Sequence, residues 1–136
     1  MDEPEIRRRL GEARVGHLAT AGADGRPHIV PICFVALSDE ILFAVDHKPK
    51  RTTDLQRLRN IAANPSVALL FDHYEEDWGR LWWVRIDGRA RVLDAGDPSE
   101  RAIDALSERY PQYRRARPSG PVVAVLVERM SGWSAT

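Results

Sequence analysis

The chain has 136 residues, a formal net charge of zero and a pI near 6.9. Its length fits a single domain over residues 1–136 that buries about two thirds of the surface of the unfolded chain. The balanced charge excludes a sequence-wide basic field of the kind that attracts nucleic acid or an anionic membrane. Cys33 has no second cysteine to pair with, the amino terminus has no secretory signal, and no apolar stretch is as long as a membrane span. We therefore expect a soluble, cytoplasmic protein.

Hydrophobic alternation and turn signals predict six strands. Asp24-Gly25 is a strong hairpin signal between the first two strands, and the short connections indicate antiparallel pairing. The fourth strand is apolar enough to be buried on both faces. Gly88 in the fifth strand predicts a bulge or a close approach of two backbones. The predicted strands cover residues 15–20, 27–37, 41–45, 66–71, 81–93 and 121–127.

Helix signals lie between and before these strands. Thr53 and Gln56 fit a capping box, and Asp97 as an N-cap followed by Pro98 suits the start of a later helix. Residues 110–120 are a basic loop. With no Gly-x-Gly-x-x-Gly motif, these elements predict an antiparallel β-barrel or sandwich of the α+β class, mainly β. The predicted helices are residues 2–14, residues 53–63 and a segment that starts at residue 97.

The lysines of the chain are confined to one place. Lys48 and Lys50 are the only two, against eighteen arginines, and both lie in Lys48-Pro49-Lys50-Arg51 between a predicted strand and a predicted helix. Lysine binds phosphate as a flexible point charge, whereas arginine presents a planar fork. The start of the following helix adds free backbone N–H groups. The residues alone leave two interpretations open: a phosphate site, or two lysines on a solvated loop.

Few side chains are equipped for acid–base or metal chemistry. His17, His28, His47 and His73 do not have the spacing of metal ligands, so we expect no metal site, and hydrogen-bonded structural roles are more common for such histidines than catalytic ones. Cys33 has two interpretations, a nucleophile beside a histidine or a small buried hydrophobe. With no catalytic triad or carboxylate pair, no catalytic residue is identified, and a reaction would depend on a bound cofactor.

Two further groups of residues keep alternative interpretations. The run Glu75-Glu76-Asp77 suits a cation site or, more commonly, a solvated loop. Trp82 and Trp83 are adjacent on a predicted strand and therefore point to opposite faces. An outward tryptophan suits a subunit interface or a planar ligand, although tryptophans that only fill a core remain an alternative. The four tryptophans are Trp78, Trp82, Trp83 and Trp133.

Five short motifs lie along the chain in this order: His17-Leu18-Ala19-Thr20, the Asp24-Gly25 turn, Pro27-His28-Ile29-Val30-Pro31, the lysine-arginine cluster after the third strand, and Ser131-Gly132-Trp133-Ser134-Ala135. Together they resemble the pyridoxamine-phosphate-oxidase-like split-barrel superfamily. More narrowly, they resemble its deazaflavin-dependent branch, found mainly in actinobacteria, whose members use coenzyme F-420. The resemblance spans essentially the whole chain.

The resemblance implies a homodimer of six-stranded antiparallel split β-barrels with flanking helices, and a flavin or deazaflavin in each of two grooves at the interface. The cofactor phosphate would lie on one set of residues and the ring system on another, with tryptophans reaching the site from the partner subunit. The implied phosphate residues are Lys48, Lys50, Arg51 and Thr52, the implied ring residues are Pro31, Ile32, Cys33, Phe34, Ala44 and Val45, and the tryptophans are Trp78, Trp83 and, nearby, Trp133.

Two departures from the superfamily pattern bear on the substrate and the cofactor. Enzymes that oxidise pyridoxamine phosphate carry an arginine-histidine pair near the carboxyl terminus, and this chain has none after Trp133, so vitamin B6 oxidation is not expected. FMN-binding members usually show Ser-Arg-Lys at the phosphate site, where this chain has Pro49-Lys50-Arg51. That difference favours F-420, whose oligoglutamate tail would be attracted to Arg57 and Arg59, over FMN.

The implied function is hydride transfer between the deazaflavin and a small planar organic substrate, in an F-420-dependent oxidoreductase. Two alternatives stay open: an FMN-binding oxidase or reductase of the same fold, and a non-catalytic flavin- or deazaflavin-binding protein. The expected partners are a small-molecule substrate and a second copy of the chain, with no nucleic acid and no membrane.

Overall fold

The computed structural model describes residues 1–45 and 55–136. In these ranges the chain forms four α-helices, seven strands and a short 3₁₀ turn at Trp78–Arg80. The helices are α1 (Glu3–Glu12), α2 (Gln56–Ala63), α3 (Asp97–Arg109) and α4 (Pro111–Arg115), and the strands are β1 (Gly16–Ala21), β2 (Pro27–Ile32), β3 (Val35–Leu37), β4 (Glu40–Ala44), β5 (Ser66–His73), β6 (Trp82–Leu93) and β7 (Val122–Ser134).

All seven strands belong to one antiparallel sheet in the order β2-β1-β5-β6-β7-β4-β3. The two edge strands, β2 and β3, are consecutive in the chain and only Cys33 and Phe34 separate them. A sheet whose two edges are joined in this way must curl, and the result is a half-barrel of the split-barrel type. The prediction of six strands was wrong because the predicted second strand, residues 27–37, breaks at Cys33 into β2 and β3.

The interior of the half-barrel is the main hydrophobic core. Inward-facing residues of neighbouring strands lie directly opposite one another, as Leu18 and Leu69 do on β1 and β5. The helix α1 inserts Ile6 and Leu10 at one end of the barrel, and α2 inserts Ile61 at the other end. The aromatic centre of this core consists of Phe34, Phe43 and Phe71, which are fully buried.

A second core covers part of the outer surface of the sheet. Outward residues of β4 and β7, among them Leu42 and Val122, pack against Ile103 and Leu106 of α3. The first half of β7 is therefore buried on both faces, which explains its nearly continuous run of valines. The helix α4, which follows α3, adds Tyr113 to this core, although the sequence predicted a loop there.

The predicted turn at Asp24-Gly25 and the predicted bulge at Gly88 were both confirmed. Gly25 has a φ of +73° in the turn between β1 and β2, and the Asp24 carboxylate accepts a hydrogen bond from the Arg26 backbone N–H. At Gly88 the register between β6 and β7 shifts, and a Cβ placed there would lie 2.4 Å from the Leu126 carbonyl oxygen. Only glycine allows this approach of the two backbones.

Several boundaries differ from the prediction. The helix α2 begins at Gln56, so Gln56 is not the third residue of a capping box, and Thr53 lies outside the described residues. The N-cap of α3 is Gly96 rather than Asp97. The strand β5 is buried on one face only, because Leu70 points outward and is 40% exposed. The strand β7 continues to Ser134, well beyond the predicted end.

Candidate functional site

One part of the outer surface of the sheet is not covered by a helix of the described chain. We call it the open face, and it comprises the outward side chains of β1, β2, β5, β6 and the end of β7. The strand register arranges them in rows across the sheet. One row is Pro31, His17, Leu70, Arg85 and Ser131, and the next row contains Asp72, Trp83 and Trp133.

The open face is apolar for an exposed surface. Ile29 is 66% exposed, and Leu70 lies two strands away at 40%. Patches of exposed apolar residues of this kind mark binding or interaction sites in soluble proteins. Outward residues of β4 and of the start of β7 are buried under α3, so the exposure of Ile29 and Leu70 is a local property of this part of the sheet.

The tryptophans follow the predicted division between the two faces. Trp82 is 5% exposed and lies in the barrel core, whereas its neighbour Trp83 is 38% exposed on the open face. Trp133 of β7 lies directly opposite Trp83 in the register and is 45% exposed. Trp78 is on the 3₁₀ turn before β6, where its indole N–H donates to the Tyr74 hydroxyl at 3.4 Å. The paired Trp83 and Trp133 are the aromatic part of the site.

The break between β2 and β3 lies at the edge of the open face. Of the four residues assigned to the ring system in this segment, Ile32 and Phe34 have their side chains in the barrel core. Pro31 is exposed on the open face, and Cys33 is half-buried against the second core. Only Pro31 and Cys33 therefore present side-chain surface to a ligand.

Tyr110, the residue between α3 and α4, holds this break. The Phe34 backbone N–H donates to the Tyr110 hydroxyl at 3.1 Å, and that hydroxyl lies 2.9 Å from the Arg14 carbonyl oxygen, to which it donates. The backbone of Phe34 is thus engaged by the protein itself. The Arg14 guanidinium lies over the ring of Tyr110, with Arg14 Cζ 4.7 Å from the ring centroid.

Two other predicted ring residues are buried. Ala44 belongs to the second core under α3, and Val45 is 3% exposed. The Val45 backbone N–H donates to the Pro121 carbonyl oxygen at 2.9 Å. Neither side chain faces the open face. The four predicted phosphate residues, Lys48, Lys50, Arg51 and Thr52, lie outside the described residues, as does His47.

The open face becomes charged toward the far end of β6. The Arg85 guanidinium donates to Asp87 through Nε at 3.2 Å and Nη2 at 2.8 Å. This hydrogen bond raises the pKa of Arg85 above its ordinary value. Arg89 follows on the same side of β6, and Arg129 lies opposite Asp87 on β7. We call Arg85, Arg89 and Arg129 the arginine patch.

A polar cleft of 590 Å³ lies at the α1 end of the barrel. Four of its charged groups form ion pairs, Arg9 with Glu12 at 3.2 Å and Arg80 with Glu75 at 3.4 Å. His73 Nε2 lies 2.5 Å from the same Glu75 carboxylate. Because these charges satisfy each other and the open face offers the apolar surface, the cleft is not the candidate cofactor site.

The described histidines are dispersed. His17 lies on the open face between Pro31 and Leu70. His28 faces the barrel side of β2, and its Nδ1 is buried without a hydrogen-bond partner. Within residues 1–45 and 55–136, no three histidine, cysteine, aspartate or glutamate side chains come together as a metal would require.

Sequence reasoning missed the residues that depend on tertiary placement. Tyr110 begins the segment 110–120, which was predicted to be a basic loop, and nothing in the sequence around it indicates a hydrogen bond to Phe34. Ile29 and Leu70 were not identified as exposed, because alternation cannot show which face of a strand is exposed when both of its faces carry apolar residues. The alternation Arg85, Asp87, Arg89 was visible in the sequence and was the one available signal for the arginine patch.

A curled antiparallel sheet whose joined edges close a half-barrel, with an apolar and aromatic outer surface, defines a protein of the split-barrel class. Residues 2–134 match the family model described as pyridoxamine 5'-phosphate oxidase, and the chain belongs to this family. No curated protein sequence matches the chain. Among the helices of the described ranges, none has the length and apolar character that crossing a bilayer requires.

Solved structures with the same fold differ in what they are said to bind. The conserved hypothetical protein Rv2991 of Mycobacterium tuberculosis is 23% identical, with a TM-score of 0.80 over 99% of this chain and 86% of its own. A FAD-binding protein of Mesorhizobium loti is 22% identical, with a TM-score of 0.74 over 97% and 94%. The heme storage protein HutZ of Vibrio cholerae is 19% identical, with a TM-score of 0.75 over 97% and 93%. At these identities the likeness establishes the fold alone.

Proposed function

We propose that the chain is a homodimeric oxidoreductase that binds a flavin-type cofactor against the open face, and that this cofactor is the deazaflavin F-420. The observation that carries the proposal is the cross-strand pair Trp83 and Trp133 on an uncovered apolar face. Membership of the oxidase family and the FAD-binding protein of the same fold support a flavin-type ligand. The choice of F-420 over FMN rests on Pro49-Lys50-Arg51 at the predicted phosphate site.

The open face suits a planar ring system. Ligand sites are lined mainly by apolar and aromatic side chains with a few polar groups that fix orientation. Leu70, Trp83 and Trp133 supply the apolar surface, and Pro31 and Cys33 lie at its edge. A second copy of the chain would cover the same exposed residues, since aromatic side chains are enriched in the centres of such interfaces. The residues present therefore fit the proposed ligand.

The phosphate of the cofactor is assigned to the lysine cluster. The cluster Lys48, Lys50, Arg51 and Thr52 lies in the sequence between β4 and α2. An ammonium group and a guanidinium group both make charge-assisted hydrogen bonds to phosphate oxygens. We assign these residues to phosphate binding on their chemistry and on the family resemblance.

When bound, the cofactor supplies hydride transfer to or from a small planar organic substrate. The chain has to hold one side of the ring, exclude water and leave room for the substrate on the other side. The residues of the open face suit this task because apolar and aromatic side chains predominate there. Hydride transfer by the cofactor needs no side chain that acts as a strong acid or base, and His17 is the one histidine among the described residues that lies on this face.

A titration of the purified protein with F-420, FMN and FAD tests the proposal. We expect the tightest binding with F-420, and reduction of a quinone, nitro or enone acceptor by the reduced cofactor. Tightest binding of FMN would favour an FMN-dependent oxidase or reductase of the same fold. Tight binding with no turnover of any acceptor would favour a non-catalytic binder. Binding of none of the three would contradict the proposal.

Removal of both lysines tests the phosphate assignment. We expect the double variant Lys48→Ala and Lys50→Ala to bind F-420 more than about tenfold more weakly, because each charge-assisted hydrogen bond contributes about 1.5–3 kcal/mol of binding free energy. Arg26→Ala is a matched control that removes a positive charge from the exposed turn between β1 and β2. Unchanged affinity in the double variant would exclude the lysines from the phosphate site.

Heme binding is a second candidate, and one observation favours it. His17 lies half-buried among Pro31 and Leu70 on the open face, where its imidazole would meet a flat apolar ligand. Imidazole is a common ligand of heme iron, and one protein of this fold is described as a heme storage protein. If heme binds at His17, titration of the protein with hemin gives a Soret band, and His17→Ala shifts that band. Addition of F-420 would not displace the bound heme.

A further inference from the structure

The polar cleft at the α1 end of the barrel has a charge pattern that the proposed function does not use. The cleft has a volume of 590 Å³, and clefts of about 300–1,000 Å³ are of the size that holds small molecules. Its lining among the described residues includes three arginines and three carboxylates, which are Arg9, Arg14, Arg80, Glu12, Asp72 and Glu75. Apart from His73, the side-chain charges of the cleft are therefore balanced.

Two of these charges have no counterpart of opposite sign. Four of the six form the two ion pairs described above. The remaining two are Arg14 and Asp72, and within residues 1–45 and 55–136 neither of them forms an ion pair. The cleft thus keeps one positive and one negative side chain that no other charge of the described chain neutralises.

Arg14 is held in place without a carboxylate. Its Nη2 donates to the Arg109 carbonyl oxygen at 2.7 Å, and its Cζ lies 4.7 Å from the centroid of the Tyr110 ring. These contacts use one N–H group and one face of the guanidinium, so the other N–H groups of the fork remain available. A guanidinium that is already oriented loses little rotamer freedom when it binds a carboxylate. Arg14 is therefore a preformed anion-binding group in the cleft.

Asp72 supplies the opposite charge where the cleft meets the open face. It is exposed near the end of β5 and lies directly opposite Trp83 in the strand register. Its carboxylate accepts no hydrogen bond from the described residues. A carboxylate of this kind is a good acceptor for an ammonium group. Arg14 precedes β1 by two residues, and β1 is the neighbour of β5, so both charges lie at the same end of the barrel.

The wall of the cleft favours a charged ligand over an aromatic one. Trp82 is part of this wall but is only 5% exposed. The Arg9 Cζ lies 5.4 Å from the centroid of its ring, and the His73 ring is stacked with it at a centroid distance of 6.4 Å. Little of the indole surface is therefore left for a ligand. A molecule in this cleft is recognised through its charges, whereas a flat apolar ligand suits the open face.

We propose that the polar cleft binds a small zwitterion of the class of an α-amino acid or a short peptide, with its carboxylate on Arg14 and its ammonium group on Asp72. A zwitterion brings both charges at once, so the charge balance of the cleft is preserved. An anion alone would leave Asp72 unpaired, and a cation alone would leave Arg14 unpaired. This site is separate from the proposed cofactor site, and neither inference depends on the other.

Isothermal titration calorimetry of the purified full chain at pH 7, with no added cofactor, tests the site. Glycylglycine is the zwitterionic probe. N-acetylglycine carries the carboxylate alone, and glycinamide carries the ammonium group alone. We expect glycylglycine to bind about tenfold more tightly, or better, than either single-charge probe, because each of these lacks one of the two charge-assisted contacts.

Two substitutions assign the two ends of the ligand. Arg14→Gln should weaken glycylglycine binding by about tenfold or more and leave glycinamide binding unchanged within about twofold. Asp72→Asn should weaken glycylglycine binding to a similar degree and leave N-acetylglycine binding unchanged. Arg101→Gln and Asp94→Asn are matched controls that should alter no affinity, because both residues are exposed outside the cleft.

Several outcomes overturn the inference. These are equal binding of glycylglycine and a single-charge probe, binding of no probe, and variants that behave like the controls. Arg14→Gln also loses the contacts with Arg109 and Tyr110, so circular dichroism checks its fold. Asp72→Asn changes an exposed side chain without partners in the described chain, and it keeps the test valid if Arg14→Gln is unfolded. A wild type that binds glycylglycine but none of F-420, FMN and FAD supports this inference and contradicts the proposed function.

Discussion

The outer surface of the sheet consists of two regions that both carry large apolar side chains, and only one of them is buried. On β4 and the first half of β7, outward residues such as Leu42 and Val122 are buried beneath α3. On β5 and β6, the equivalent outward positions hold Leu70 and Trp83, which remain exposed. Both regions alternate in the same way and both carry large apolar side chains. The difference is that α3 covers the first region, whereas no helix of residues 1–45 and 55–136 covers the second.

The contrast separates the outward residues that stabilise the fold from those that are available for binding. The covered region is an ordinary core, whose residues stabilise the chain by leaving water. The open face carries a comparable apolar surface that contributes little to the stability of one copy. This apolar surface leaves water only when a second surface packs against it, which is a planar ligand, a second copy of the chain or both. The substitutions below test whether the two regions differ in this way.

The largest effect is expected in the covered region. Leu106→Ala removes a fully buried side chain of α3 that packs over β4 and β7. Substitutions of this kind cost about 2–5 kcal/mol, because apolar contacts are lost and a cavity remains. Urea unfolding monitored by circular dichroism measures the loss. A change below about 1 kcal/mol would mean that α3 is loosely attached and that both regions are open.

An intermediate effect is expected where the covered region meets the edge of the open face. Tyr110→Phe keeps the ring but removes the hydroxyl that accepts from the Phe34 N–H and donates to the Arg14 carbonyl oxygen. Buried polar groups left without a partner cost about 1–3 kcal/mol. We also expect faster hydrogen exchange at the Phe34 amide, measured by NMR. Unchanged exchange would show that Tyr110 does not hold the break between β2 and β3.

The positions of most strands and the hairpin pairs β1–β2 and β3–β4 could be read from the sequence, because alternation and the Asp24-Gly25 turn are local signals. The order of the strands in the sheet could not, because the pairs β1–β5 and β4–β7 join strands that are far apart in the chain. The break at Cys33 could not, because residues 27–37 are a continuous apolar run and the interruption depends on Tyr110, 76 residues away from Phe34. The predicted number of strands was wrong for the same reason. Local sequence patterns do not indicate contacts between residues that are this far apart in the chain.

The candidate site was predictable in part. Adjacent Trp82 and Trp83 had to point to opposite faces, and the structure confirms it. Burial of Ile32, Phe34, Ala44 and Val45 could not be anticipated, because alternation identifies two faces without saying which one a helix covers. Ala44 is buried because α3 packs on the outer surface of β4. The assignment of the phosphate to Lys48 and Lys50 stays a prediction.

The smallest effect on one copy is expected on the open face. Leu70→Ala shortens a side chain that is 40% exposed, so the free energy of unfolding of the monomer should fall by less than about 1 kcal/mol. Leu69→Ala, one residue earlier and 1% exposed, is the matched control and should cost about 2–5 kcal/mol. Both are measured by urea unfolding at low protein concentration, where association contributes little. If the open face binds a second copy, Leu70→Ala should weaken the dimer more than it weakens the fold. Equal losses of stability in the two variants would remove the distinction between the open face and the covered region.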